Sequence, residues 1–186
     1  MIGQSAGGVL SITGEPDGKP CKPGVTLADT GTGMLMAITI LGALYRQQAT
    51  GEGEHLQLAM QDAMTQYSRL AYAYRDLNEK AAPRAGAKLF TTGNAPTGIF
   101  PCKPFGKNDY VYIYTTRAGN HHWERLCNLL GRKDLINDPR FVGQKERADN
   151  EEALDAILAE FTKQYTKREA MRLIGECGVP CGAVLD

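Results

Sequence analysis

The hydrophobic pattern begins with a strongly apolar segment over 34–45, which ends in Arg46 and is followed by Thr50-Gly51-Glu52-Gly53. A basic residue in a last turn followed by glycine predicts a helix C-terminus there. The run is too short to span a bilayer, so it reads as a buried helix. Residues 1–28, rich in Gly, Ser, Thr and Pro, read as loop and turn. Over 55–60, Leu56, Leu58 and Met60 alternate with polar neighbours, which predicts a short strand. Asp62 then caps a second helix that runs to about Leu77, with Tyr67, Leu70, Ala71 and Tyr74 on its apolar side.

The pattern changes after residue 80. Prolines and glycines over 81–104 predict a linker. Residues 109–116 (Asp-Tyr-Val-Tyr-Ile-Tyr-Thr-Thr) are β-branched and aromatic, hence a strand, with Tyr110, Tyr112 and Tyr114 on one packed face. Asn120 caps a helix carrying Trp123, Leu126, Cys127 and Leu130, closed by Gly131. Another helix starts at Asn150, and Thr166 with Glu169 forms a capping box for the last, which Gly178-Val179-Pro180 stops. The first region poses a difficulty: a lone strand between two helices has no partner for its backbone groups. The chain therefore reads as part of a larger α/β enzyme.

Composition narrows the picture. The 186 residues hold 21 basic and 21 acidic side chains, so no global charge marks the chain for nucleic acid or an anionic membrane. No charged, apolar leader is visible at Met1-Ile2-Gly3-Gln4-Ser5. The five cysteines are odd in number and scattered, without a Cys-x-x-Cys pair, which favours reduced thiols in the cytoplasm over a disulfide framework or a zinc site. Cys177 and Cys181 flank an apolar turn, and apolar surroundings make a thiol inert. Adjacent His121 and His122 point apart on a helix, which disfavours a paired metal site.

Candidate chemistry centres on Asp29-Thr30-Gly31-Thr32-Gly33, where a loop meets the apolar helix. A carboxylate at a helix start faces free N–H groups and the positive end of the dipole, as a nucleophile on an acyl group or simply as a cap. The glycines would admit a substrate close to the backbone. Asp-Thr-Gly-Thr also matches the aspartic protease tetrad, but that motif belongs in a β-rich context with a second aspartate.

The ordered set Gln4-x-x-Gly7-Gly8, Thr13-Gly14-Glu15, Asp29-Thr-Gly-Thr-Gly33-Met34, Gly42-Ala-Leu44-x-Arg46, Thr50-Gly-Glu-Gly53 and Met60-Gln61-Asp62 resembles the class III, formyl-CoA transferase-like coenzyme A transferases. Pro83-Arg84-x-Gly86, Asp138-Pro139-Arg140-Phe141, Arg147 and Gly178-Val-Pro-Cys-Gly182 continue the likeness. The resemblance implies an α/β fold: part of a Rossmann-like large domain over 1–80, a linker over 81–104 and a small α/β domain over 105–186, from an interlocked homodimer. It implies Asp29 as the nucleophile that forms an aspartyl-CoA thioester, Met60, Gly93 and Asn94 as substrate-binding residues, and Gln4 and Lys103 toward CoA. Acyl-CoA and a small carboxylic acid would be the substrates, with no cofactor or metal beyond the CoA thioester. A family glycine run is replaced by Leu89-Phe90-Thr91-Thr92-Gly93-Asn94, which leaves the carboxylate unspecified. The rival readings are a 2-methylacyl-CoA racemase of the same superfamily and an inert fragment that only folds or dimerises.

Overall fold

The structure, a computed structural model, describes residues 1–91, 94–116 and 118–186. It is a mixed α/β chain of two compact units, Met1–Gly86 and Ala87–Asp186.

The first unit is helical. A short helix α1 (Ile2–Ala6) and a 3-10 turn (Leu10–Ile12) occupy the stretch expected to be loop. Glycine explains them: a Cβ on Gly7 would lie 2.4 Å from the Met64 Cβ, and one on Gly3 3.2 Å from that of Met60. Only glycine lets α1 lie this close to α3 (Met60–Tyr67). Helix α2 runs over Leu27–Thr50, starting seven residues before the apolar run, so the Asp29–Gly33 motif is helical and not a loop. Gly51 ends α2 in the left-handed region (φ 77°), its N–H donating to the Gln47 carbonyl at 2.7 Å.

Residues 55–59 form no strand, and Met60 opens α3 instead. The unpaired-strand argument for incompleteness therefore fails, because helical packing against α1 and α2 overrides the short alternation. Asp62 is not the cap of α3 but its third residue; Ala59 holds the cap position without a side-chain bond. The single helix expected to Leu77 breaks at Ser68, and α4 covers Arg69–Asn78.

The core of this unit is small: Val9, Ala28, Ala63 and Met64, with Leu10, Leu27 and Leu35 against them. The expectation that the 34–45 run is buried does not hold within this chain, since Ile38 and Leu41 are each 66% exposed and Tyr45 79%. Among the described residues α2 is the one helix long and apolar enough, by length and composition, to cross a membrane. Its first turns are packed on protein, through Ala28, Gly31 and Thr32.

The second unit holds a three-stranded antiparallel sheet in the order β1-β2-β3: β1 (Thr97–Pro101), β2 (Tyr110–Tyr114) and β3 (Cys181–Ala183). Strand β1 lies in the stretch read as linker. Its flanking prolines signalled loop, yet an edge strand tolerates proline at its ends. The register pairs Phe100 with Val111 and Ile113 with Cys181. Val111 and Ile113 face the core while Tyr110 and Tyr112 are only half-buried and Tyr114 is exposed, so the tyrosine face is the outer one.

Helices α5 (His121–Leu129), α6 (Gln144–Asp149), α7 (Glu151–Thr162) and α8 (Lys167–Glu176) complete the unit. Trp123, Leu126, Phe141, Leu154, Leu158 and Ile174 fill the core with the sheet. The capping box of α8 is present: Glu169 N–H donates to Thr166 Oγ1 and Thr166 N–H to Glu169 Oε2.

Asn120 takes the cap position of α5 but makes no cap bond. Its Oδ1 accepts from Arg147 Nη2 at 3.0 Å instead. Arg147, 2% exposed, also donates to the carbonyls of Ala95 and Phe141, each at 2.9 Å, and lies over Trp123. Burial lowers its pKa, although a guanidinium stays charged. In this part of the sequence pattern Arg147 is an architectural residue. Asp138 plays a similar part in the turn before Phe141, accepting from the Arg140 backbone and its guanidinium.

Candidate active site

Asp29 is the third residue of α2 and is exposed, while Ala28, Gly31 and Thr32 around it are buried. The carboxylate is thus presented outward from a helix start whose other face is anchored. The anchor includes Gln4, 1% exposed. With its amide turned so that both ends are satisfied, Gln4 Oε1 accepts from Leu27 N–H and Ala28 N–H, each at 3.3 Å. Gln4 therefore caps α2 from another element. This corrects its expected role: a buried side chain engaged with backbone is not available to CoA.

The two glycines of the motif behave differently. A Cβ on Gly31 would meet the Tyr67 ring at 2.7 Å, so Gly31 serves helix packing and not substrate approach. A Cβ on Gly33 would meet nothing within 4 Å, leaving open backbone one turn after Asp29. Thr32 Oγ1 is buried without a hydrogen-bond partner among the described residues. Met60, half-exposed at the start of α3, lies beside Gly3. Helix α1 thereby touches both elements of the site, Met60 through Gly3 and the Asp29 turn through Gln4.

The remaining expected residues belong to the second unit. Lys103 has an exposed side chain, and its backbone N–H donates to Tyr165 O at 2.8 Å. Asn94 is 6% exposed and tied into the fold, where Nδ2 donates to Thr115 O (3.3 Å) and its own carbonyl accepts from the hydroxyls of Thr115 (3.0 Å) and Thr97. It still borders a small cavity of about 140 Å3 with Leu89, Thr91 and Glu151. Gly93 lies outside the described residues.

Other reactive groups are quiet. All five cysteines are free. Burial pushes the Cys181 thiol up to about 12 and raises that of Cys177, so neither offers a thiolate near neutral pH. His122 Nδ1 accepts the Thr116 N–H at 3.0 Å, and burial, with His121 and Arg125 nearby, lowers its pKa. Among the described residues no group of three His, Cys, Asp or Glu is placed to hold a metal ion.

Sequence reasoning missed Gln4 as a cap and the arginine latch at Arg84. Arg84 Nη2 donates to Gly18 O at 2.7 Å, and its other nitrogens to Ser11 O and Glu15 O, each at 3.3 Å. The ordered motifs around Gly7-Gly8, Gly14-Glu15 and Arg84 were the available signal, since they meet in the folded unit.

Comparison with known proteins gives one consistent result. The model of CoA-transferase family III matches residues 1–186. The chain is 31% identical over 197 residues to a formyl-CoA:oxalate CoA-transferase of Streptomyces coelicolor and 32% identical over 203 residues to that of Rhodopseudomonas palustris strain BisB18. All of the chain is covered, but only 47% of each relative, so the chain spans about half the length of the curated relatives it matches. A CAIB/BAIF family protein from Brucella suis superposes with a TM-score of 0.78 at 30% identity, covering 99% of this chain and 47% of that one. The fold of Rv3272 from M. tuberculosis matches with a TM-score of 0.78 at 24% identity.

Proposed function

The chain belongs to CoA-transferase family III, and from that premise we propose that it carries the nucleophile of an acyl-CoA:carboxylate CoA-transferase, Asp29. The observation that supports this most is the outward carboxylate on a helix start held rigid by buried neighbours and the Gln4 cap. In the first step an Asp29 oxygen attacks the thioester carbonyl. The C–S bond breaks, CoA leaves as thiolate, and Asp29 becomes half of a mixed anhydride. The thiolate then attacks the Asp29 carbonyl, which releases the donor acid and leaves an aspartyl-CoA thioester. An acceptor carboxylate attacks that thioester, and the expelled thiolate takes the acceptor acyl group, which restores the Asp29 carboxylate.

The dipole of α2 favours negative charge at its first turn, where each cycle begins and ends. Exposed Met60 would line the acyl side, and the open backbone at Gly33 would let the substrate approach. The relatives' name suggests formyl-CoA and oxalate as substrates, but the loss of the glycine run leaves the acid class as small carboxylates. The free thiols fit a reducing, cytoplasmic setting, and the whole protein is proposed to act as an interlocked homodimer, with Lys103 near CoA.

The test is trapping. Full-length enzyme given acyl-CoA and then hydroxylamine or borohydride should yield a peptide modified at Asp29, detected by mass spectrometry. An unmodified Asp29 together with exchange of the substrate α-proton would overturn the transferase reading in favour of a racemase.

A further inference from the structure

A second cavity in the first unit, of about 530 Å3, is unused by the Asp29 chemistry. Ser68, Ala71, Tyr72 and Arg75 follow one another at i, i+3, i+4 and i+7 and form the face of α4 that closes it. The 3-10 turn with Ser11 and Ile12 and the segment 81–84 make the opposite walls. Those walls are fixed by the three Arg84 bonds and by Gly86 N–H donating to Gly14 O at 3.0 Å.

Two independent features mark the cavity as a place for an anion. Ser68, 2% exposed, lines it, and its buried hydroxyl has no hydrogen-bond partner among the described residues. A buried hydroxyl left unmet is unfavourable until something bonds to it. The cavity is also cationic: among the described residues Arg75 makes no ion pair, Arg84 bonds only neutral carbonyls, and no acidic side chain lines the wall. Ile12, Pro16, Ala71, Ala81, Ala82 and Pro83 make much of the rest of the wall apolar, which fits a pocket of ligand size with few polar groups. A guanidinium fork matches a carboxylate in bidentate geometry, and one fork with a hydroxyl suits a single negative charge.

We propose that this cavity binds a small monocarboxylate with an apolar body, its carboxylate on Arg75 with Ser68 donating and Arg84 adding positive field. The site needs no CoA and no step of the Asp29 chemistry. Benzoate is the probe. Calorimetric titration of the purified protein should show saturable one-to-one binding, weakened about tenfold by Arg75→Ala, the loss expected for one charge-assisted pair. Ser68→Ala should weaken it less, Arg75→Lys should recover part of the loss, and benzyl alcohol should not compete. Asp29→Asn should leave benzoate binding intact, which separates this site from the transferase reading. The proposal is overturned if the folded protein, checked by circular dichroism, gives no benzoate binding. Equal affinity in Arg75→Ala, equal competition by inorganic phosphate, or loss of binding in Asp29→Asn would overturn it as well.

Discussion

The two units handle apolar surface in opposite ways. Among the described residues, fifteen buried apolar ones in Ala87–Asp186 form one cluster with a three-stranded sheet, while in Met1–Gly86 four do. The first unit nonetheless has the more apolar helix, α2, whose Ile38, Leu41, Leu44 and Tyr45 stay exposed. Burial of apolar area is the main favourable term in folding. The second unit therefore carries its own stabilising core, and the first keeps apolar surface available for other protein. The candidate nucleophile stands at the start of that open helix, on the packed turn and not on the bare part.

The largest expected effect tests this contrast directly. Ile113, fully buried in the sheet, should cost about 3–4 kcal/mol when changed to alanine, within the range for buried aliphatic truncations. Leu41→Ala on the open face of α2 should change stability by no more than about 0.5 kcal/mol in this chain. Urea unfolding of the two variants gives the comparison. Equal losses would mean that α2 is buried in solution, by a second copy or by another part of the protein.

Legibility follows the same division. In the second unit the strand at Tyr110–Tyr114, helices α5, α7 and α8 and the capping box were readable because each forms from local signals: β-branched alternation, helical spacing, a Thr-x-x-Glu pair. What escaped there were β1, since Pro96 and Pro101 hide an edge strand, the short α6 and β3, too brief to carry a periodic signal, and the choice of Asn120, which abandons its cap for Arg147. In the first unit local signals misled more often. Leu56, Leu58 and Met60 alternate without forming a strand, and Gly3, Gly7 and Gly31 resembled loop residues although each permits close helix contact. Those contacts are long-range, and nothing in a short window reveals them. Asp29 was legible from its motif, whereas Gln4 became intelligible only once α1 was seen against α2.

A middle-sized effect sharpens the reading of the nucleophile's helix. Gly31→Ala puts a methyl 2.7 Å from the Tyr67 ring and should cost about 1–3 kcal/mol through overpacking. Gly33→Ala meets nothing and should stabilise α2 by about 0.5–1 kcal/mol, because alanine is the better helix former. If Gly33 is the open approach to Asp29, the same alanine lowers transferase activity of the full-length enzyme while raising its melting temperature. A Gly33→Ala enzyme with unchanged kcat/KM would remove Gly33 from the site and leave Asp29 standing on its own evidence.

The smallest effect lies in the second unit and concerns pH. The Arg140 guanidinium and backbone N–H hold the Asp138 carboxyl down at about 2. A folded-state pKa below the unfolded one means that the unfolded chain binds the proton more tightly. The contribution to stability is therefore complete above the unfolded carboxyl range near ~3.9 and is lost as pH falls through about 2. The Asp138 side chain is 18% exposed but its partner Arg140 is 56% exposed, so solvent screening keeps the contribution small. Asp138→Asn should lower the urea midpoint slightly at pH 6 and not at pH 2, where wild type and variant converge. The first unit, monitored by a probe on α2, should show no such convergence. A pH-independent difference between the two proteins would mean that Asp138 acts through the shape of its turn and not through its charge.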